Sequence, residues 1–583
     1  MKKRRVWQGS DPVGPFVLCG MEEEEHLLEA KPWHQYYDYN VPTTIRYPRF
    51  PVQNLVHIAA AQFPHKAAVD FYGSELTFAR LRSQILRLAN ALGRIGVKKG
   101  DRIGIALPNC PQYVIAYHAI LSAGAIVVNI NPYYTHDELK FMIENTALET
   151  IVTFDDVLPT IRLLACELGL RRVIVTQLKD YMAKNGLRSV KSLDLEKGWY
   201  HFSSLIENCD DTRLPRVTFD PQDTALIQFT GGTTGLPKGA EITHANIIAS
   251  IFQVSGWFSS LMVYIPYERR NAVITIPQFH IYGNLCMNWS LLNAATQILL
   301  PRFDLEEAFD IVKRFDQISF FPAVPTMITA IINDPRANKL KIWERLRYFH
   351  SGGAPMPTEL ITKVKDMGIS FGEGWGMSET TSVGTGNPLL ANKIGSIGIP
   401  LMDNEVRLVD VESGSEEVNS GEAGEMIFRG PTVMKGYWKN PEETLNQLAE
   451  DGWLKTGDIA QADEDGYLYI VDRKKDMIIA GGFNIYPREV DEVLYQHPKV
   501  AEAVTVGIPD AYRGETVKVF IVLKDGEITN DKEIIGFCKE KLAPYKVPKQ
   551  VEFRKALPKS AVGKVLRKVL RDEEIAKQKS NMT

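Results

Sequence analysis

Two patterns of apolar residues alternate along the first half of the chain. Short continuous apolar runs, typical of buried strands, occupy 67–72, 102–107 and 125–129. Over 78–92, apolar residues instead recur at intervals of three or four, as on one face of a helix, and a further helix is predicted at about 114–121. Strands and helices that alternate at this rhythm indicate parallel sheets covered by helices.

The pattern changes at about residue 394. Glycines and short strand-like runs dominate over 394–471, which predicts a compact β-rich unit. A charged run follows at 472–476. Beyond it the pattern is typical of a small α+β unit, in which apolar residues alternate clearly over 516–523. We therefore place the principal domain boundary at the charged run.

Length and composition limit the class of protein. A chain of 583 residues is long enough for about three or four structural units. Its 45% hydrophobic and 24% charged residues are typical of a globular protein. A formal net charge of -4 argues against nucleic acid as the main partner, because nucleic-acid binding relies on a basic surface.

The cysteines bear on the redox environment. They are scattered and show no C-x-x-C spacing, so they fit buried thiols in a reducing compartment better than disulfides or a zinc site. The six are Cys19, Cys110, Cys166, Cys209, Cys286 and Cys538.

Two segments bear on membranes. The basic opening at 1–5 resembles the start of a signal peptide, but polar residues and the acidic run 22–25 follow it, so we expect a cytoplasmic protein. Residues 247–267 carry no charge and are long enough to span a bilayer. The serines of this segment, with Gln253 and Pro266, favour a packed helix and a surface loop. Peripheral contact with the inner face of a membrane stays open.

The strongest local motif follows a predicted strand at 224–229. Glycines there would let backbone N–H groups approach a phosphate, while hydroxyls and a lysine add donors and charge. The loop is not a P-loop, because Pro237 precedes the lysine and Gly239 replaces the required serine or threonine. A glycine-rich turn without a ligand is the alternative. The loop contains Thr230, Gly231, Gly232, Thr233, Thr234, Gly235 and Lys238.

Six motifs, in order along the chain, resemble those of the AMP-forming acyl-CoA synthetases of the adenylate-forming ligase superfamily. The resemblance extends from about residue 31 to 570. The motifs are IQFTGGTTGLPKG (227–239), PQFHIYG (277–283), SGGAP (351–355), GEGWGMSETT (372–381), WLKTGD (453–458) with DR (472–473), and LPKSAVGK (557–564).

The resemblance implies an α/β fold. A large N-terminal region would contain two α/β subdomains plus a β-rich subdomain at about 394–471, followed by a small, mobile α+β C-terminal domain. In the family the small domain swings between two poses, and Lys475 lies where the family hinges. The implied boundaries are 1–30 for a flexible extension, 31–471 for the large domain, 472–475 for the hinge and 476–583 for the small domain.

The resemblance also implies roles for the matched residues. Catalytic roles fall to Lys564, His280, Thr234 and Lys238, the Mg²⁺ ligand is Glu379, and the hinge is Lys475. Contacts to ATP and coenzyme A fall to Thr230, Gly231, Gly232, Thr233, Gly235, Gly352, Gly353, Ala354, Trp375, Gly376, Met377, Ser378, Asp458, Arg473, Gly481 and Gly482.

These residue types suit the implied chemistry. A carboxylate such as Glu379 suits a hard cation, and a mobile cation such as Lys564 can meet the charge that builds on the acyl carboxylate and α-phosphate. Trp375 departs mildly from the family, in which tyrosine is commoner, and Ser378 stands where threonine is usual. Without the resemblance, the interpretations would be a core position for His280 and Trp375, a cap for Glu379, a turn for Asp458, and an exposed surface for Arg473 and Lys564.

The implied reaction has two steps. The acid attacks the α-phosphorus of ATP to give an acyl-adenylate and pyrophosphate, and the thiolate of coenzyme A then expels AMP. No cysteine nucleophile is required. The expected partners are therefore ATP, Mg²⁺, coenzyme A and a carboxylic acid, with no nucleic acid.

Other segments narrow the acid. They are most similar to bacterial long-chain fatty acid–CoA ligases, which favours a long-chain fatty acid. Medium-chain, alicyclic and aromatic acids stay open, as does an enzyme that loads a carrier protein instead of coenzyme A. A non-enzymatic lipid-binding protein is disfavoured because the implied catalytic residues are intact. The segments lie at 31–33, 131–135, 230–235, 435–438, 471–478 and 545–548.

Overall fold

The protein is described by a computed structural model. The described residues are 31–182, 194–230, 237–352, 356, 358–480, 483–510, 512–560 and 563–582. Their helices are α1 (Asn54–Gln62), α2 (Phe78–Arg94), α3 (Pro111–Ser122), α4 (His136–Thr146), α5 (Leu158–Leu168), α6 (Phe202–Glu207), α7 (His244–Trp257), α8 (Ser259–Met262), α9 (Ile281–Leu292), α10 (Leu305–Arg314), α11 (Pro325–Asn333), α12 (Pro335–Leu340), α13 (Ile342–Arg345), α14 (Thr358–Asp366), α15 (Pro441–Gln447), α16 (Pro487–Tyr495), α17 (Asp531–Lys541) and α18 (Arg567–Met582).

The strands of the same residues are β1 (Ala67–Phe71), β2 (Ser74–Thr77), β3 (Arg102–Ala106), β4 (Ile126–Asn129), β5 (Thr150–Phe154), β6 (Arg172–Thr176), β7 (Trp199–His201), β8 (Thr224–Thr230), β9 (Lys238–Thr243), β10 (Asn271–Ile274), β11 (Thr296–Leu299), β12 (Phe321–Ala323), β13 (Tyr348–Ser351), β14 (Ser370–Trp375), β15 (Thr385–Gly386), β16 (Ile399–Pro400), β17 (Glu405–Val409), β18 (Gly424–Arg429), β19 (Gly436–Tyr437), β20 (Leu454–Ala462), β21 (Leu468–Arg473), β22 (Ile478–Ala480), β23 (Phe483–Ile485), β24 (Val500–Asp510), β25 (Gly514–Leu523) and β26 (Gln550–Phe553).

The largest sheet has the order β19-β9-β8-β4-β3-β5-β6-β7 and is parallel from β8 to β7. Two further sheets, β10-β11-β1-β2 and β12-β13-β14-β15-β16, complete the α/β part. Every residue of α3 is buried, so this helix lies inside the main core and not on the surface. The predicted parallel sheets covered by helices are confirmed.

The later part of the chain forms two smaller units. The antiparallel sheet β17-β18-β20-β21 confirms the β-rich unit predicted over 394–471. Its last strand continues through Arg473, two residues beyond the predicted end of the large domain. The sheet β23-β22-β25-β24, with β26 parallel to β25, has a separate core around Val490, Val519 and Ile534, as expected for a small α+β domain.

The alternation over 516–523 predicts a strand, which β25 confirms, but both faces of this strand are buried. Lys518 is only 6% exposed. Its Nζ lies 2.7 Å from a carboxylate oxygen of Glu552 and 2.7 Å from one of Glu574 in α18. The C-terminal helix thus covers the face that carries the lysine, and two carboxylates compensate its buried charge.

The uncharged stretch 247–267 forms most of α7, then α8 and a surface loop. α7 is largely buried, whereas Val263 and Tyr264 are exposed, which confirms the predicted packed helix and loop. No helix among the described residues is long and apolar enough to cross a membrane.

The described cysteines are all free thiols. The expected burial is confirmed for four of them, whereas Cys166 is exposed and the expectation is wrong there. The exposed position follows from α5, which turns Cys166 toward solvent while Leu164 faces the core. Cys19 lies outside the described residues.

Candidate active site

One cavity of about 2010 Å³, between the large and small domains, collects the predicted site residues. Of the residues selected from the sequence, all that the structure describes line it: Thr230, Lys238, His280, Gly352, Trp375, Gly376, Met377, Ser378, Glu379, Asp458, Arg473, Lys475 and Lys564. The remaining predicted residues lie outside the described part of the chain: Gly231, Gly232, Thr233, Thr234, Gly235, Gly353, Ala354, Gly481 and Gly482.

Strand ends place several of these residues together. β13 and β14 are parallel neighbours, and their carboxyl ends lead to Gly352 and Trp375. β8 ends at Thr230. Carboxyl ends of parallel strands commonly form ligand crevices in open α/β sheets, because loops can diverge there without breaking the ladder.

Close backbone approach explains one glycine of the site. A Cβ on Gly376 would lie 2.2 Å from the carbonyl oxygen of Ser382, closer than any real contact. Thr381 and Ser382 themselves have positive φ angles of 49° and 71°. The segment after β14 therefore doubles back tightly, which only glycine at 376 permits.

Asp458 is held by two other site residues. β20 and β21 bring Asp458 opposite Arg473, and Nε of the arginine lies 3.2 Å from Oδ1 of the carboxylate. The indole Nε1 of Trp375 donates to Oδ2 at 2.7 Å. The side chain of Asp458 is buried, so this carboxylate is a fixed acceptor at the cavity wall.

Glu379 is buried and accepts a hydrogen bond at Oε1 from the hydroxyl of Tyr437, at 2.8 Å. Burial raises the pKa of Glu379, and the bond from Tyr437 opposes this shift, as do two cations, Arg473 and Lys238. Lys238 forms an ion pair with Glu443 and lies 5.5 Å from the Tyr437 ring centre. Tyr437 was not selected from the sequence, although it belongs to the 435–438 segment noted there.

Lys564 enters the cavity from the small domain. It ends a turn in which its backbone N–H donates to Ser560 Oγ at 3.2 Å. Burial, and then the positive charge of Arg473, lower the pKa of Lys564 to about 7, while Asp458 acts in the opposite direction. The amine of Lys564, whose pKa is close to neutral pH, thus lies where the two domains meet.

His280 caps the start of α9. Its Nδ1 accepts a hydrogen bond from the backbone N–H of Tyr282 at 3.2 Å. Burial, with a smaller effect of Lys564, lowers the pKa of His280 to about 4, so the ring is neutral near pH 7. A neutral imidazole that accepts at Nδ1 carries its proton on Nε2. His280 therefore offers a hydrogen-bond donor to the cavity.

Buried polar groups hold the loop before His280. The hydroxyl of Tyr113 lies 2.9 Å from the carbonyl oxygen of Gln278 and 2.6 Å from Oδ1 of Asn129. Asn129 donates in turn to Oε1 of Gln228 at 2.9 Å. Because Gln228 lies two residues before Thr230, this network ties the histidine loop to the glycine loop. This hydrogen-bond network was not predicted from the sequence, because no local motif marks its residues.

One side of the cavity is largely apolar. Helix α9 contributes one face of its surface, and the opposite side is aromatic. The hydroxyl of Tyr282 lies 2.7 Å from Nδ1 of His350, and burial lowers the pKa of His350 to about 4. The α9 residues are Ile281, Tyr282, Leu285, Cys286 and Trp289, and those facing them include Val254, Phe258, Phe320 and His350.

The small domain also contacts the predicted hinge. Asp472 is buried, and its Oδ2 accepts from the backbone N–H of Arg488 at 2.8 Å. Nη1 of Arg567 lies 4.0 Å from Oδ1 of Asp472. Arg571 donates to the carbonyl oxygen of Lys475 at 3.4 Å. These contacts fix the pose in which Lys564 faces the cavity.

Comparison with known proteins identifies the family of this chain. The family described as AMP-binding enzyme matches residues 56–438, and the AMP-binding enzyme C-terminal domain matches 489–564. The chain belongs to the AMP-binding enzyme family. The long-chain-fatty-acid–CoA ligase of Bacillus subtilis (strain 168) is 41% identical to this AMP-binding enzyme over 562 residues, covering 94% of this chain and 99% of the relative. The Escherichia coli O157:H7 ligase of the same name is 36% identical, covering 93% and 98%.

A solved structure has the same fold. The crystal structure of ATP-bound MatB from Rhodopseudomonas palustris superposes with a TM-score of 0.80 at 27% identity, covering 90% of this chain and 99% of that one. The predicted resemblance and fold class are confirmed. This AMP-binding enzyme is an acyl-CoA synthetase, which forms acyl-CoA through an acyl-adenylate. The domain boundaries and the roles of individual residues stay predictions.

The donor set fits a metal held jointly with a nucleotide. Among the described residues, no group of three or more His, Cys, Asp and Glu side chains could hold a metal ion alone. Mg²⁺ commonly binds one or two carboxylates together with substrate phosphates. Glu379, a single buried carboxylate beside Lys238, fits that arrangement.

Proposed function

We propose that this AMP-binding enzyme activates a long-chain fatty acid with ATP and transfers the acyl group to coenzyme A. One observation carries the proposal. A single cavity joins the polar group of Asp458, Arg473 and Lys564 to the apolar wall along α9. A nucleotide at the polar end would place its α-phosphate beside the head of an acid whose tail lies along α9.

The residues of the polar end have distinct roles in the first step. Asp458 accepts hydrogen bonds from the ribose hydroxyls, because Trp375 and Arg473 already fix the orientation of its carboxylate. His280 donates from Nε2 to the acid carboxylate and orients the attacking oxygen. Lys564 contacts that carboxylate and the α-phosphate, and stabilises the charge that develops as pyrophosphate leaves.

Glu379 would hold Mg²⁺ together with the phosphates of ATP, and the ion would offset the charge of the pyrophosphate group. Thr230, at the end of β8, and Lys238, at the start of β9, flank the glycine loop and supply further donors to the phosphates. The adenine ring would lie between Gly352 and the Trp375–Ser378 segment. Water is excluded from the reacting atoms by the small domain, which closes over them.

The second step needs a different arrangement. The thiolate of coenzyme A attacks the acyl carbonyl carbon, and the bond from that carbon to the phosphate oxygen of AMP breaks. In the pose described above, Lys564 would lie in the path by which the thiolate approaches the acyl carbonyl carbon. Rotation of the small domain about Lys475 would withdraw it and bring the 481–482 loop to the cavity.

A substrate panel tests the proposal. The full-length protein is assayed with ATP, Mg²⁺ and coenzyme A by pyrophosphate release and by thioester formation. Fatty acids of about 12 to 18 carbons should exceed acetate and benzoate in kcat/KM, because each buried CH₂ contributes ~0.8 kcal/mol. A higher kcat/KM for benzoate or cyclohexane carboxylate would replace the fatty acid with that class. Thioester formed only on a holo carrier protein would replace coenzyme A.

We also propose that the loop after α8 contacts the inner membrane surface. Val263 and Tyr264 are 62% and 79% exposed, and tyrosine is favoured at the lipid–water interface. Phe258, at the start of α8, lines the cavity, so an acid from the membrane would arrive close to the site. Liposome flotation should fall for the Val263→Asp/Tyr264→Asp variant. Leu390→Asp, an equally exposed position elsewhere, should not change it.

A further inference from the structure

The apolar wall of the cavity follows a single helix. Within α9, the residues that line the cavity recur with the helical period, so they form one face. The helix begins directly after His280, which the proposed function places at the carboxylate of the acid. The five residues on this face are Ile281, Tyr282, Leu285, Cys286 and Trp289.

Trp289 closes the far end of this wall. Among the described residues it is the last of α9 to line the cavity, and it is only 1% exposed. Its ring centre lies 4.8 Å from that of Phe320. Phe320 in turn lies 5.6 Å from Phe258 and stacks on Tyr348 at 6.0 Å. A packed aromatic cluster of this kind does not give way without cost, because core side chains are close-packed.

The length of the space in front of Trp289 can be estimated from the helical rise between His280 and Trp289. Trp289 lies nine positions after His280, which corresponds to about 13 Å along the axis at 1.5 Å per residue. An extended chain advances about 3.3–3.6 Å for every three bonds. About eleven bonds therefore fit between the carboxylate end and Trp289, which is the length of an acid of about twelve carbons.

We propose that Trp289 sets the longest acyl chain that this enzyme accepts efficiently, at about twelve carbons. The inference rests on the proposed function and places the optimum at the short end of its range of about 12 to 18 carbons. Acids up to this length lie in the cavity with Trp289 in place. Longer acids must displace its ring from Phe320, and they lose the steady gain that each added methylene gives to shorter chains.

The test is a chain-length profile of kcat/KM from 8 to 18 carbons, measured as thioester formation by the full chain. In the wild type, kcat/KM should rise by up to about fourfold per methylene as far as about 12 carbons and then fall. Trp289→Leu should raise the ratio of kcat/KM for the 16-carbon acid to that for the 12-carbon acid at least tenfold. Cys286→Phe, one turn closer to His280, should move the optimum to about eight carbons.

Trp257→Leu is the matched control. Trp257 is also buried and belongs to a helix, but it does not line the cavity. Its replacement should lower the Tm and leave the chain-length ratio unchanged. A wild-type profile that keeps rising to 18 carbons, or equal ratios in Trp289→Leu and wild type, would overturn the role of Trp289. Either result leaves the proposed ligase function intact, which only a lack of thioester from every fatty acid would contradict.

Discussion

The indole Nε1 of Trp375 donates a hydrogen bond to Oδ2 of Asp458 at 2.7 Å, while Arg473 faces the other oxygen of the same carboxylate. The three residues come from β14, β20 and β21, so two sheets meet at one carboxylate. A tyrosine at 375, the commoner residue in the family, has no N–H group to make this bond. In this chain the aromatic residue that we propose to lie beside the nucleotide therefore also orients the proposed ribose ligand.

Replacement of Trp375 by phenylalanine should weaken the binding of ATP. The variant keeps an aromatic ring and removes the donor to Asp458. Loss of a hydrogen bond to a charged group costs about 1.5 kcal/mol or more, which corresponds to roughly a tenfold higher KM for ATP. KM for the fatty acid should not change. Trp438→Phe is the control, because its indole nitrogen is buried without a hydrogen-bond partner among the described residues and lies outside the cavity. Equal KM values for ATP in both variants would contradict the role.

Replacement of Lys564 by alanine should separate the two half-reactions. Adenylation should slow by about 10²–10³, equivalent to ~3 kcal/mol or more, because a charge at the developing transition state is lost. Thioester formation from preformed acyl-AMP should stay close to the wild-type rate. Single-turnover measurements of each half-reaction provide the test, with Lys555→Ala, an exposed lysine of the same segment, as control. Equal losses in both halves would refute it.

The pH dependence of adenylation should reflect Lys564. Its pKa is lowered to about 7, first by burial and then by Arg473, so the free enzyme loses this positive charge as pH rises through that value. The kcat/KM of adenylation should therefore fall above about pH 7, since this ratio reports groups of the free enzyme. Lys564→Arg keeps its charge and should abolish the fall. A fall that persists in the arginine variant would assign it to another group.

Much of the site could be predicted because its motifs are local. Thr230 follows a recognisable strand, and Glu379 lies in a run of ten residues that is characteristic by itself. The partners of these residues could not be predicted, because they are distant in sequence. Tyr437 lies 58 positions from Glu379, and Asp458 lies 83 positions from Trp375. Only the folded sheets bring such pairs together.

The same reason limits the fold prediction. Alternation over 516–523 identified a strand, but burial of its second face depends on α18, about fifty residues later. Likewise, no helix was predicted at α9, and the lining of the cavity by its apolar face was not predicted either. Trp289 and His350 belong to that wall only because β13 and α9 face each other across it.

Two buried histidines should make the enzyme sensitive to acid. Burial lowers the pKa of His118 to about 3, and burial with the charge of Arg82 lowers that of His57 to about 4. In the unfolded chain histidine titrates near 6.5. The depressed values mean that stability is fully present above pH 6.5 and is lost as pH falls toward the folded-state values. Each histidine contributes up to ~1.4 kcal/mol per pH unit.

His118→Phe should therefore flatten the fall of Tm between pH 6.5 and 4. The side chain of His118 is fully buried, and both ring nitrogens are without a hydrogen-bond partner among the described residues, so phenylalanine suits the site. Tm is measured by calorimetry across this range. His65→Gln, at an exposed position, should retain the wild-type slope. An unchanged slope in His118→Phe would show that other groups control acid unfolding.

Replacement of Lys475 tests whether the small domain must rotate between the two chemical steps. The two chemical steps need different groups at one adenylate, so some backbone must absorb a large change in dihedral angles. The backbone after β21 is a turn closed by a hydrogen bond from Asp476 N–H to the Arg473 carbonyl, at 3.0 Å. The carbonyl oxygen of Lys475 accepts a hydrogen bond from Arg571 in the small domain at 3.4 Å.

Proline at 475 would fix φ near -65° and also disfavour the helical conformation of the preceding residue. The pose in which Lys564 faces the cavity contains this turn, so the strain at Lys474 should slow adenylation modestly. Thioester formation, which requires the other pose, should slow at least tenfold more. Lys475→Ala keeps the backbone free and removes the amine, so it separates the hinge from any contact of the side chain. Single-turnover rates for both variants decide the matter: if proline slows the two half-reactions equally, the chain turns at another residue.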